Sequence, residues 1–181
     1  VILLIFGLAL WVGVHFWKRL APAHRAKFGD QGKMAVAIGA VVGLILMIIG
    51  YRMAQGTYYW GRTPALVGIN NLLMLLAFYL FAASGSKARI TQYIRHPQLT
   101  AVMIWALAHL IVNGDTPSFV LFGGLLVWAS SEVQLINRAQ PDWTPGPAVP
   151  MKKEITALIA TVVVFAVVAG VHVALGYNPF G

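Results

Sequence analysis

Four histidines stand in apolar surroundings: His15, His96, His109 and His172. Neutral imidazole is the commonest metal ligand among side chains. Two imidazoles facing each other across an apolar slot suit a b-type haem, which takes its axial ligands from facing helices. Trp11 precedes His15 by four residues, and Trp105 precedes His109 by four. On a helix that spacing shares a face, so each candidate ligand has a flat ring beside it. Arg95, next to His96, is a candidate holder of haem propionates through charge-assisted hydrogen bonds. Glu132 is expected to pair with Arg95 or Arg138, to relay protons, or to orient His15 or His96 as a hydrogen-bond partner. Each residue also has a plainer reading. A membrane histidine can bond a neighbouring helix, His96 can be only a helix cap, and Trp11 and Trp105 can be packing. His24 reads as a solvated loop residue.

Little else in the chain carries chemistry. There is no phosphate-binding glycine loop, no carboxylate pair and no Gly-x-Ser-x-Gly elbow. The absence of cysteine excludes disulfides, thiol catalysis, iron–sulfur clusters and Cys-type zinc sites. The other polar residues inside apolar runs are Asn70, Asn71, Ser130 and Ser131.

The elements that must position these groups follow from composition. The chain is 59% hydrophobic and 10% charged, with mean hydropathy +0.77. A soluble domain carries roughly 25% charged residues. Such a chain cannot cover a water-facing surface, so a soluble fold is excluded. Six apolar runs, 1–17, 34–53, 66–83, 97–113, 118–136 and 155–176, predict an all-α polytopic membrane protein. They form a single domain of six transmembrane helices over 1–181. A span takes about 17–25 helical residues, so the first and fourth runs qualify narrowly. Strands are not expected, because the runs are apolar on every face and lipid tolerates only helices or closed barrels. The first run lacks a small-residue cleavage site and reads as a retained anchor. Ala35, Gly39 and Gly43, and again Ala166, Gly170 and Ala174, have the spacing of close helix contacts.

Charge sets the orientation. Of 13 Lys and Arg residues, 11 fall in three alternate links and only Arg52 and Arg62 in the others. The positive-inside rule puts the 11 in the cytoplasm and both termini outside. The net charge of +8 therefore reflects membrane orientation, with lipid and not nucleic acid as the partner. In this topology His15 and His96 lie at the inner level, His109 and His172 at the outer. The 13 residues from His96 to His109 make about 20 Å of helix. Depth pairs His15 with His96, and Pro97 marks His96 as the start of the fourth helix.

Arg95-His96-Pro97, then Trp105-Ala106-Leu107-Ala108-His109-Leu110, then Asn113-Gly114-Asp115, resembles the signature of the NnrU family of bacterial membrane proteins. His15 late in the first run and the ending His172, Gly176 and Pro179 also fit. The resemblance covers essentially the whole chain. It implies the bacterial inner membrane and a link to denitrification, in which family members are needed for expression or activity of nitrite and nitric oxide reductases. The family is also similar to the plant zeta-carotene isomerase, a membrane haem b protein with histidine axial ligands. The resemblance thus implies haem b, one or two, carried on His15 and on His96 or His109. It leaves open which of those two.

Three functions follow as expectations. The first is a haem-binding membrane protein that supports denitrification by electron transfer or redox sensing, with a redox partner in the membrane. The second is a haem-dependent isomerase acting on an apolar polyene; a quinone-like ligand would occupy the same kind of slot. The third is a cofactor-free scaffold or assembly factor. A metal transporter is least supported, because carboxylates are too scarce to line an ion path.

Overall fold

The computed structural model describes residues 1–181. Its helices are α1 (Ile2–Leu20), α2 (Pro22–Ala26), α3 (Gly29–Met53), α4 (Pro64–Ser86), α5 (Pro97–Val112), α6 (Thr116–Ser118), α7 (Gly124–Ala139) and α8 (Met151–Ala174). A π-helical turn at Phe119–Gly123 joins α6 to α7. The three segments form one continuous helix, Thr116–Ala139. Local chemistry sets the starts. Proline stands in the first turn of α2, α4, α5 and α6, where its missing N–H costs nothing. Thr63 Oγ1 caps α4 through Leu66 N at 3.3 Å, and Asp115 Oδ1 caps α6 through Ser118 N at 2.8 Å.

Five helices are long and apolar enough to cross a membrane: α1, α3, α4, Thr116–Ala139 and α8. The chain is a multi-pass membrane protein. The fourth apolar run behaves differently from expectation. α5 has 16 residues, about 24 Å of helix against the ~30 Å hydrocarbon core. It stops at Val112 because Asn113 leaves helical geometry to feed β2 (Gly114–Asp115). β2 pairs antiparallel with β1 (Tyr58–Trp60). This short ribbon corrects the expectation of no strands, and it lies in the links, outside the apolar helices.

The helices pack in a row. α3 lies on α1, α1 on α7, α7 on α5, α5 on α4, and α4 on α8. No packed seam joins α3 to α8, so the row curls around a space open on that side. The main core cluster is Leu4, Met47, Leu125, Trp128 and Ala129. The tightest seam is α1 on α3, where a Cβ on Gly7 would stand 2.6 Å from the Met47 backbone nitrogen. Gly39 and Gly43 face α1 across this seam. The second stripe, Ala166, Gly170 and Ala174, is exposed, and Gly170 meets nothing. α8 instead buries Ala157, Thr161 and Ala169.

The bundle has two distinct ends. At one, Arg19 Nε meets Glu132 Oε2 at 2.8 Å, Arg89 N donates to Glu154 Oε2 at 2.9 Å, and Arg95 donates to the Gln140 carbonyl. The three links that hold the 11 cations gather there. The other end carries the ribbon, with Arg62 Nη2 on Asn178 O at 2.6 Å and Asn71 Nδ2 on Pro179 O at 3.1 Å. Leu4 abuts Gly50 near the end of α3, so both termini lie at the ribbon end.

Candidate functional site

A cavity of about 1880 Å³ runs between the two ends of the bundle. A small-molecule site commonly occupies roughly 300–1,000 Å³, so this one has room for a large ligand. His15, His96, His109 and His172 all line it, as do Trp11, Arg95, Trp105 and Glu132. The histidines do not gather into a polydentate cluster with carboxylates. Each comes from its own element and reaches the cavity separately.

Three of the imidazoles are held alike. His15 Nδ1 donates to Trp11 O at 2.8 Å, His109 Nδ1 to Trp105 O at 2.9 Å, and His172 Nδ1 to Val168 O at 2.8 Å. In each case the acceptor is the carbonyl one helical turn earlier. An Nδ1–H bond to a backbone carbonyl fixes the tautomer and leaves Nε2 as a bare lone pair. None of these Nε2 atoms has a partner within the protein. His96 is different: its Nε2 bonds Asn137 Oδ1 at 2.8 Å, while its backbone carbonyl starts α5 by accepting from Thr100 N at 2.9 Å.

Aromatic rings orient two of the three. His15 lies 4.4 Å from the Trp11 ring and 5.0 Å from Trp128, centroid to centroid. His109 lies 5.1 Å from Trp105 and stacks on Phe122 at 4.7 Å. Phe122 belongs to the π-helical turn, a local geometry that recurs at functional sites.

Ser130 Oγ meets Met103 Sδ, and Asn137 meets His96, so α5 and α7 run antiparallel with Trp128 level with Trp105. His15 rests on Trp128, and so does Trp11, one turn earlier on α1, at 5.4 Å. α1 continues to Leu20 and makes its cationic-end contact through Arg19, one turn beyond His15.

Glu132 pairs with Arg19, not with Arg95 or Arg138. His24 is exposed, as expected of a solvated residue, but sits on α2 instead of a loop and accepts from Trp17 Nε1 at 2.9 Å. Trp128, Phe122 and Asn137 escaped the sequence reading. Trp128 and Phe122 look like ordinary apolar residues of a span, and Asn137 looks like the start of a loop. Only the α5–α7 register brings them to the histidines.

Three buried polar atoms have no partner: Trp11 Nε1, Trp128 Nε1 and Asn70 Oδ1. Both indoles flank His15. Five cations, Lys18, Arg19, Arg25, Lys33 and Arg95, line the cationic mouth of the cavity, where the Glu132 carboxylate is already taken by Arg19. Bare imidazole nitrogens, orphaned donors and an excess of cations over an apolar floor fit a flat, iron-bearing ligand with carboxylates. They fit a small hydrated ion less well.

No curated protein and no solved structure matches the chain. The NnrU protein family matches residues 3–179, nearly the full length. The chain belongs to the NnrU family.

Proposed function

We propose that the chain is a haem b protein of the bacterial inner membrane, in which His15 on α1 and His109 on α5 would hold the iron, serving nitrite and nitric oxide reduction through redox chemistry. One observation carries this reading. His15 and His109 share a single local design: a Trp–xxx–His turn, Nδ1–H on the Trp carbonyl, and Nε2 left bare in the same cavity. The family resemblance left His96 and His109 open as the partner of His15. The Asn137 bond to His96 Nε2 favours His109.

Bound, haem b would supply one-electron chemistry at iron. The residues do the rest. The backbone carbonyls of Trp11 and Trp105 hold the imidazoles in the tautomer that ligates. Phe122 and Trp128 fix the ring planes. The cationic mouth receives carboxylates, and the indole N–H groups of Trp11 and Trp128 supply further donors. The positive-inside rule then puts that mouth in the cytoplasm and both termini outside, with α5 completing the crossing as a short sixth helix. Protein purified in detergent with haem supplied should show a Soret band, lost in His15→Ala and His109→Ala.

A second reading is favoured by the size of the cavity and its opening between α3 and α8. A long polyene fits such a space, and the activity would be haem-dependent cis–trans isomerisation. Incubation with a cis-carotene and a reductant distinguishes it: a changed isomer profile supports the isomerase, an unchanged one the redox role.

A further inference from the structure

The ribbon end of the cavity holds a second set of unspent polar atoms. Asn70 Oδ1 is buried without a partner, and His172 Nε2 carries a lone pair that nothing in the protein meets. Both residues line the cavity. The amide groups around them each spend one N–H within the protein. Asn70 Nδ2 bonds Asn71 Oδ1 at 3.3 Å, Asn71 Nδ2 bonds Pro179 O at 3.1 Å, and Asn113 Nδ2 bonds His109 O at 2.9 Å. The Tyr51 hydroxyl pairs with Ser118 Oγ at 2.8 Å. At Asn70 Oδ1 and His172 Nε2 themselves, what stands unmet is an acceptor. A buried acceptor left unmet is costly, so the missing partner must bring donors.

The way in is set by the helix row. α3 and α8 flank the open side, with Leu44 and Ile48 on one lip and Phe165 and Val168 on the other. These four apolar residues line the cavity, and His172 is one turn beyond Val168 on the same helix. An apolar tail passing between the lips would place a polar head at His172 and Asn70.

We propose that this end of the cavity binds the head of a membrane quinol, a ring bearing two hydroxyl donors on an apolar tail. One hydroxyl donates to His172 Nε2 and the other to Asn70 Oδ1. The oxidised quinone has only acceptors at the same positions and leaves both protein lone pairs unmet. At these two atoms the reduced form is the better partner. Such a ligand would be the membrane redox partner that the haem reading requires, but the binding itself does not depend on haem.

The experiment is equilibrium binding of decylubiquinol to the purified, haem-free full chain in detergent, with decylubiquinone and a long-chain alcohol as the other arms. The quinol should bind at least tenfold more tightly than either. Asn70→Leu and His172→Phe should each weaken quinol binding about fivefold or more, while Asn70→Asp, which keeps an acceptor oxygen, retains it. His96→Ala should leave it unchanged. Equal affinity for quinol and quinone, an alcohol as tight as the quinol, or no effect of Asn70→Leu and His172→Phe in folded protein would overturn the proposal. The Soret band, measured separately on haem-loaded protein, keeps the two readings apart: quinol binding without a Soret band sinks the haem assignment alone, and a Soret band without quinol binding sinks this one.

Discussion

Arg19 Nε and Glu132 Oε2 stand 2.8 Å apart, with the arginine side chain 32% exposed and the glutamate side chain 5%. The pair ties α1 to α7 one turn from His15. Its two halves are unequal. Removing Arg19 strands a buried carboxylate, whereas removing Glu132 leaves a cation that can turn toward the cationic mouth. Arg19→Met should therefore destabilise by about 3 kcal/mol and Glu132→Gln by about 1 kcal/mol. Thermal unfolding in detergent checks the order. Equal losses would show that neither charge is shielded as the structure has it.

The bond from His96 Nε2 to Asn137 Oδ1 fastens the start of α5 to the end of α7. It gives His96 a structural task. Asn137→Leu should cost about 1 kcal/mol, the net worth of one such bond. It should leave any haem spectrum as it is in the wild type. A low-spin spectrum that disappears in Asn137→Leu, at unchanged stability, would make His96 a ligand.

The α1–α3 seam predicts a contrast between two glycines. A Cβ on Gly7 would press on the backbone at Met47 N (2.6 Å) and Gly43 O (2.8 Å), and backbone cannot swing aside. Gly7→Ala should destabilise by about 1–3 kcal/mol through overpacking. Gly170 meets nothing, so Gly170→Ala should be neutral or slightly stabilising, because alanine is the better helix former. Melting temperatures of the two variants measure this directly.

The cap of the helix that carries Phe122 is a further handle on the site. Asp115 Oδ1 accepts from Ser118 N at 2.8 Å, immediately before the π-helical turn. Asp115→Ala should cost about 1 kcal/mol. It should also loosen Phe122 under His109, readable as broadening of the His109 ring signals in NMR. Sharp, unshifted signals would separate the cap from the site.

The parts of this architecture legible in the sequence were those with a strong one-dimensional signal. Uninterrupted apolar runs marked the spans, and Pro97 marked a helix start to the residue. The cation asymmetry marked the two ends. Trp11 with His15 and Trp105 with His109 could be seen as same-face pairs because four-residue spacing fixes that relation within one helix. Relations between helices were not legible. The depth of His15 depends on which residue of α7 it touches, and nothing in α1 alone specifies Trp128. Counting from the ends of apolar runs also set the end of α1 at 17, three residues short of Leu20. The stripe at Gly170 failed for a related reason: small-residue spacing says that a close approach is possible, and only the helix row decides whether a neighbour is there.

The optical spectrum of the purified protein, taken with haem supplied and across three single variants, tests the central claim most directly. The account predicts a low-spin Soret band in the wild type and in His96→Ala, and its loss in His15→Ala and in His109→Ala. A colourless wild type, or a band that survives both His15→Ala and His109→Ala, would contradict it.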